Sequence, residues 1–341
     1  MNTGDKMSKT KEITITLIIT IAVIVAGYFL FFQQQEKFTG PIEKLTIGSP
    51  HQEISSLVYL AKEQGCFEEV GLDLEIKEYL SGFASIQGLL DKEVDIALST
   101  DFAFVSSHFD NNELRIFSSI AEADVEELIA RKDSGIYKIE DLKGKKIGIK
   151  EKSSAEFHLA TFLLFSGISL EEINIIDLTP PELVKAILNK EIDAVVIWPP
   201  QAYNLKKELR EDAISWSAQC GQPFFWLALT TEPHINEKKS SLKKFLECLS
   251  KSEKFIQENE IQAKQIIIKY LDSDKAYMDY YWPKQNFTVE LPQSLLFRLE
   301  DEARWRIKNI LTDKTEVPNY FDFICTDALD QVKPSGVTII R

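Results

Sequence analysis

The same phrase occurs twice in this chain, about a hundred residues apart, and it limits the fold more than any other feature. GLLDKEVDIALSTDFAFV (88–105) aligns with AILNKEIDAVVIWPPQAY (186–203), so that Leu90 meets Leu188, Lys92 meets Lys190, Glu93 meets Glu191 and Asp95 meets Asp193 at a constant offset of 98. Each copy reads as a helix end, a short acidic turn and a buried strand. At an offset of 100, Leu45-Thr46-Ile47-Gly48 stands against Lys145-Lys146-Ile147-Gly148, each a strand followed by a helical stretch. Two echoes in the same order predict two α/β lobes of one design.

In the first lobe the pattern predicts strands at 44–48, 72–78, 94–98 and 114–120, alternating with helices at 53–65, 83–91 and 101–109. The second is predicted to enter through 125–131 and repeat the alternation, with strands at 145–149, 173–177 and 193–197 and helices at 154–166, 181–189 and 200–209. Short apolar strands alternating with helices imply mainly parallel sheets. The expected division is 44–124 with 232–341 as lobe 1 and 125–231 as lobe 2, with the later helices (238–258, 261–271, 291–311) returning to lobe 1. Two crossings between lobes would act as a hinge.

Before the lobes, residues 13–32 contain no charged side chain. Twenty residues at a rise of about 1.5 Å each would span a bilayer. Lys6, Lys9 and Lys11 precede the run and Gln33, Gln34, Gln35 and Glu36 follow it. That bias predicts a cytoplasmic tail (1–12), a single uncleaved transmembrane anchor (13–32), with a cleaved signal peptide the alternative, a linker (33–43) and an extracytoplasmic body.

With 39 Lys and Arg against 53 Asp and Glu, the net charge is −14, which disfavours nucleic acid as a partner. Cys66, Cys220, Cys248 and Cys325 lie far apart without metal-ligand spacing; buried thiols are the expectation, with one distant disulfide left open. There is no phosphate-binding loop, zinc-protease, hydrolase-elbow or dinucleotide signature, so neither an enzyme nor a resident cofactor or metal is expected.

In open α/β sheets ligands sit beyond the carboxyl ends of strands, where helix N-termini present free N–H groups. The residues at those positions are Ser49, Pro50, His51 and Gln52; Ser81 and Gly82; Thr100 and Asp101; Lys150, Glu151, Lys152, Ser153 and Ser154; and Trp198, Pro199 and Pro200. Ser81, Thr100, Asp101 and Ser153 are good N-caps, each able to serve only its own helix. Trp198 is expected to form a pocket wall, with core packing the alternative. His51, in a polar loop, is a candidate hydrogen-bond partner, whereas His108, His158 and His234 carry no signal. Glu53, Asp101, Glu122, Glu126 and Glu156 could fall in a cleft, although an acid-rich chain exposes most of its carboxylates.

The phrases SSLVYLAKEQGCFEEVGLDLEI, GLLDKEVDIAL, DLKGKKIGIK, KAILNKEIDAVVIWPPQAY and ALDQVKPSGVTII resemble the nitrate/sulfonate/taurine group of ABC-transporter solute-binding proteins, which also includes binders of bicarbonate and thiamine-pyrimidine precursors. The likeness runs from about Leu45 to the C-terminus. It implies a type II periplasmic-binding-protein fold, two lobes and a hinge, that captures a small polar solute and delivers it, as a monomer, to a permease and ATPase. It also implies ligand contacts from Ser49, His51, Gln52, Ser81, Gly82, Thr100, Asp101, Ser153, Ser154, Trp198 and Pro199. None of those loops carries an Arg. Eukaryotic thiamine pyrimidine synthases resemble the same group but carry a Cys-rich iron motif, whereas these four cysteines are scattered. A solute-sensing module is the third alternative.

Overall fold

The computed structural model describes residues 38–340. The predicted tail and transmembrane anchor (1–32) lie outside the described residues, as does the start of the linker. Among the described residues no helix is long and apolar enough to cross a membrane.

The chain opens with β1 (Glu43–Ser49), α1 (Ser56–Glu63), the single turn α2 (Cys66–Glu69), β2 (Leu72–Glu78), α3 (Gly82–Leu90), β3 (Ile96–Thr100), α4 (Asp101–His108) and β4 (Leu114–Ala123). It then builds β5 (Glu127–Arg131), β6 (Lys146–Ile149), α5 (Ser154–Phe165), β7 (Asn174–Asp177), α6 (Pro180–Leu188), β8 (Ala194–Ile197), α7 (Gln201–Leu209) and β9 (Ala213–Ser217). The return is β10 (Phe224–Thr231), α8 (Glu232–Glu237), α9 (Lys239–Glu258), α10 (Glu260–Tyr270), α11 (Lys275–Tyr281), the short β11 (Gln285–Asn286), α12 (Gln293–Lys308) and α13 (Asp327–Val332).

Two sheets result, ordered β11-β4-β10-β3-β1-β2 and β7-β6-β8-β5-β9. Each is mixed rather than mainly parallel. β2, β1 and β3 run parallel, but β10 is antiparallel to both β3 and β4, and β5 is antiparallel to both β8 and β9. The strand Phe224–Thr231, assigned from sequence to the second lobe, therefore belongs to the first sheet. All eight of its residues are buried, as a central strand covered on both faces requires. β8 shows the same double burial: Val196 packs into one hydrophobic cluster of the second sheet and Val195 into the other.

The repeated phrase has a structural cause. Lys92 and Lys190 both take positive φ, 61° and 64°, and end helices α3 and α6 with a reversal. Asp95 and Asp193 then accept a hydrogen bond, each at 2.9 Å, from the backbone N–H of Thr46 and Lys146 in the neighbouring parallel strand. The aspartate locks strand to strand where each helix feeds back into its sheet, which keeps the same residues at the same places in both halves.

Between the sheets the chain crosses at 124–126 and again at 218–223, and one side chain joins the two crossings. The Gln219 Oε1 accepts from the N–H of Val125 at 2.7 Å and of Glu126 at 2.9 Å, while its Nε2 donates to the carbonyls of Ala123 at 2.7 Å and Gln222 at 3.1 Å. Gln219 is fully buried, so these four bonds complete its amide. A disulfide between Cys66 and Cys248 ties α2 to α9. The expectation of buried thiols fails: Cys220 is exposed, and the two most buried cysteines are the bonded pair.

Gln219→Ala would strand two buried N–H donors, at about 1–3 kcal/mol each. We expect urea unfolding to report a loss of roughly 2–6 kcal/mol in stability; a change within about 0.5 kcal/mol, as at an ordinary surface site, would show the crossings to be held by other means.

Candidate functional site

One cavity is walled by residues from both sheets and from the first crossing. Gln52, Glu53 and Ile54 come from the β1 end, Ser81, Gly82 and Phe83 from the β2 end, and Thr100 and Ala103 from the β3 end; Val125 and Glu126 belong to the first crossing. The second half contributes Ser153 and Ser154 beyond β6 and Trp198 and Pro199 beyond β8, and Phe224 and Trp226 of β10 close the wall.

The start of each helix accounts for its place in the wall. Ser81 caps α3 by accepting from the Ala84 N–H at 3.2 Å, and Thr100 caps α4 by accepting from the Ala103 N–H at 3.3 Å. Gly82 has no substitute here: a Cβ would lie 2.6 Å from the Ser99 hydroxyl and 2.9 Å from the Ser99 Cα. Ser153 occupies the N-cap position of α5 but does not cap it, donating instead to the Lys150 carbonyl at 2.6 Å. The starts of α3, α4 and α5 thus converge on the cavity, each a source of partial positive charge.

Eight of the eleven residues named from sequence line this cavity: Gln52, Ser81, Gly82, Thr100, Ser153, Ser154, Trp198 and Pro199. The other three do not. Ser49 lies beneath the wall, bonded to the Ser55 hydroxyl at 2.9 Å, and Ser55 in turn accepts from the Trp226 indole at 3.1 Å, so Ser49 supports the platform. His51 turns outward, 3.0 Å from the Glu78 carboxylate and stacked on Tyr270 at 5.8 Å. Asp101 points into the protein; its oxygens accept from the N–H groups of Phe102 at 2.8 Å and Phe225 at 3.0 Å, and one of them lies 3.5 Å from Arg298. Trp198 is both wall and core, since its ring lines the cavity and packs into the second sheet's cluster.

Sequence reasoning missed the aromatic wall. Phe83, Phe224 and Trp226 are not among the residues named from sequence, and Phe224 and Trp226 reach the cavity because β10 joins the first sheet. Of the five carboxylates that could fall in a cleft, Glu53 and Glu126 are buried in the wall. Burial pushes the Glu53 carboxyl above the usual carboxylate range, partly offset by the Tyr277 hydroxyl that donates to it and by Gln285 Nε2 at 3.1 Å. Glu126 accepts from the Ser154 hydroxyl and meets His158 Nδ1 at 2.7 Å. No Lys or Arg is among the lining residues. Glu156 lies elsewhere, 3.5 Å from Arg306, and Glu122 is not among the lining residues.

The family model described as NMT1/THI5 like matches residues 54–263. This chain belongs to that family. It is 26% identical over 228 residues to a putative binding protein of Brucella abortus, covering 66% of this chain and 70% of the relative. It is 27% identical over 173 residues to a taurine-binding periplasmic protein of Escherichia coli, covering 50% and 52%. Among solved structures, the alkanesulfonate-binding protein of Xanthomonas axonopodis pv. citri bound to MOPS superposes with a TM-score of 0.73 at 17% identity, over 84% of this chain and all of that one. The fold is the α/β periplasmic-binding-protein fold.

Because its pKa is raised, Glu53 holds a proton in the folded chain at pH values where the unfolded chain has shed it. It therefore costs stability as pH climbs through that raised titration. The melting temperature of Glu53→Gln should gain on wild type between pH 5 and pH 8; a gap that stays constant or shrinks would place an ionised carboxylate there.

Proposed function

We propose that this chain is the extracytoplasmic, membrane-anchored solute-binding protein of an ABC importer, capturing a small polar solute of the sulfonate or taurine type between its two lobes. The observation that carries this reading is that strand-end residues of both sheets surround one cavity. A solute touching Ser81 and Thr100 on one side and Ser153 and Trp198 on the other gains contacts on both sides only when the lobes are closed, so its binding shifts the population toward the closed form. The closed form is the one presented to the permease and its ATPase. The anchor keeps the binder at the membrane, which raises its effective concentration at the transporter.

The wall chemistry favours a zwitterion over a simple anion. Three helix starts can accept sulfonate oxygens, each donating N–H groups without a full counter-charge. A lone anion would also face Glu126, with no cation in the lining to offset it. Taurine places an ammonium beside that carboxylate and its short methylene bridge against Trp198 and Trp226. No covalent chemistry is needed: micromolar capture requires about 8 kcal/mol, within reach of these contacts.

Calorimetric titration of the full chain should give micromolar binding of taurine, weaker binding of ethanesulfonate and no measurable binding of nitrate. Failure of both sulfonates to bind would overturn the assignment. Trp198→Ala would also remove core packing, at about 3–5 kcal/mol, so Trp198→Phe is the cleaner probe. It should weaken taurine binding roughly tenfold, or about 1.4 kcal/mol, while the solute-free protein melts cooperatively; unchanged affinity would remove the indole from the contact set.

A further inference from the structure

Behind the cavity wall lies a chain of buried polar groups that joins the two halves of the molecule. Ser154, at the start of α5, donates to Glu126 of the first crossing. Glu126 meets His158 Nδ1 at 2.7 Å, and His158 Nε2 lies 2.8 Å from an Arg298 terminal nitrogen. Arg298 stands on α12, across the interface from α5, and is held on its own side by Glu302 at 2.9 Å and Asp101 at 3.5 Å. His158 is 1% exposed, so these contacts are its whole polar environment.

The donor inventory settles the state of the ring. A guanidinium only donates, so Nε2 must offer its lone pair to Arg298, and the ring proton must sit on Nδ1, donating to Glu126. The linked form of His158 is the neutral imidazole in a single tautomer. A second proton would land on Nε2 and face an Arg298 N–H, donor against donor.

We propose that His158 and Arg298 form a proton-sensitive clasp between the two lobes, which positions Glu126 and Ser154 in the cavity wall only while the imidazole is neutral. Protonation from solvent breaks the His158–Arg298 bond, and Arg298 stays with Glu302 and Asp101 on its own side. The closed arrangement binds one proton fewer than the open one, so acid favours opening. Imidazoles change charge between about pH 5 and 8. The charged groups facing the pair are Glu126 from the crossing and Asp101 and Glu302 from α4 and α12; Glu122 acts on Asp101 at longer range, and Arg306 with Glu156 is a neighbouring pair between α12 and α5. Glu302 is fully buried, and its carboxyl is pushed well above the usual range by that burial and by Asp101, which lessens the negative charge on the Arg298 side. Whether the clasp governs capture rests on the reading of the cavity as the solute site; whether it exists does not.

Hydrogen exchange of the solute-free full chain tests it without any solute, so a negative taurine titration leaves the result intact. After correction for intrinsic rates, amides at 154–160 should lose roughly tenfold in protection between pH 7.5 and pH 5.0, while amides at 242–249 in α9 hold theirs. In His158→Gln, whose carbonyl can still accept from Arg298 but cannot titrate, that response should vanish. In Arg298→Met, exchange should be fast at both pH values. A wild-type chain without the response, or His158→Gln or Arg298→Met retaining it in full, would overturn the clasp.

Discussion

The arrangement of the two sheets depends on a buried amide. The chain passes from one sheet to the other and back, and at both passages its backbone leaves the ladders that would satisfy it. Gln219 supplies what is missing, two acceptor bonds and two donor bonds from one side chain with no exposure. Because those partners lie on both passages, the passages move together or not at all. The cavity walls from Val125 to Glu126 and from Phe224 to Trp226 follow immediately on the stapled backbone, so the shape of the site is tied to this join.

Around that join the wall combines opposing electrostatic features. Helix starts bring partial positive charge, Glu126 brings a carboxylate and Glu53 a buried carboxyl of raised pKa, and aromatic rings exclude water between them. In such a setting polar groups need partners, because an unpaired one in a low-dielectric interior costs more than an exposed one. Most carboxylate oxygens here are engaged: Glu53 by Tyr277 and Gln285, Glu126 by Ser154 and His158, Asp101 by two backbone N–H groups. The acids are held in fixed positions, which lets them act as recognition groups.

Much of this is legible in the sequence. The duplicated KEVD and KEID turns marked two matching halves because their aspartates perform the same strand-to-strand bond in each. The rule that strand ends carry the site located eight lining residues, because it concerns backbone geometry that a hydrophobic pattern reveals. Side-chain direction was not legible. Asp101 and Thr100 are neighbours in sequence, yet one turns to backbone and the other to the cavity, and His51 was drawn out by Glu78 and Tyr270, both distant along the chain. The membership of Phe224–Thr231 in the first sheet was hidden for a related reason: an apolar run reads alike in either sheet, and only partners far away in sequence decide between them.

The Cys66–Cys248 bond closes a covalent ring that contains the entire second sheet and both passages. A protease that nicks any loop between those two positions produces fragments that remain attached, and the first sheet keeps its returning helices. Such a bond belongs to an oxidising compartment. A single cut there would leave the molecule in one piece.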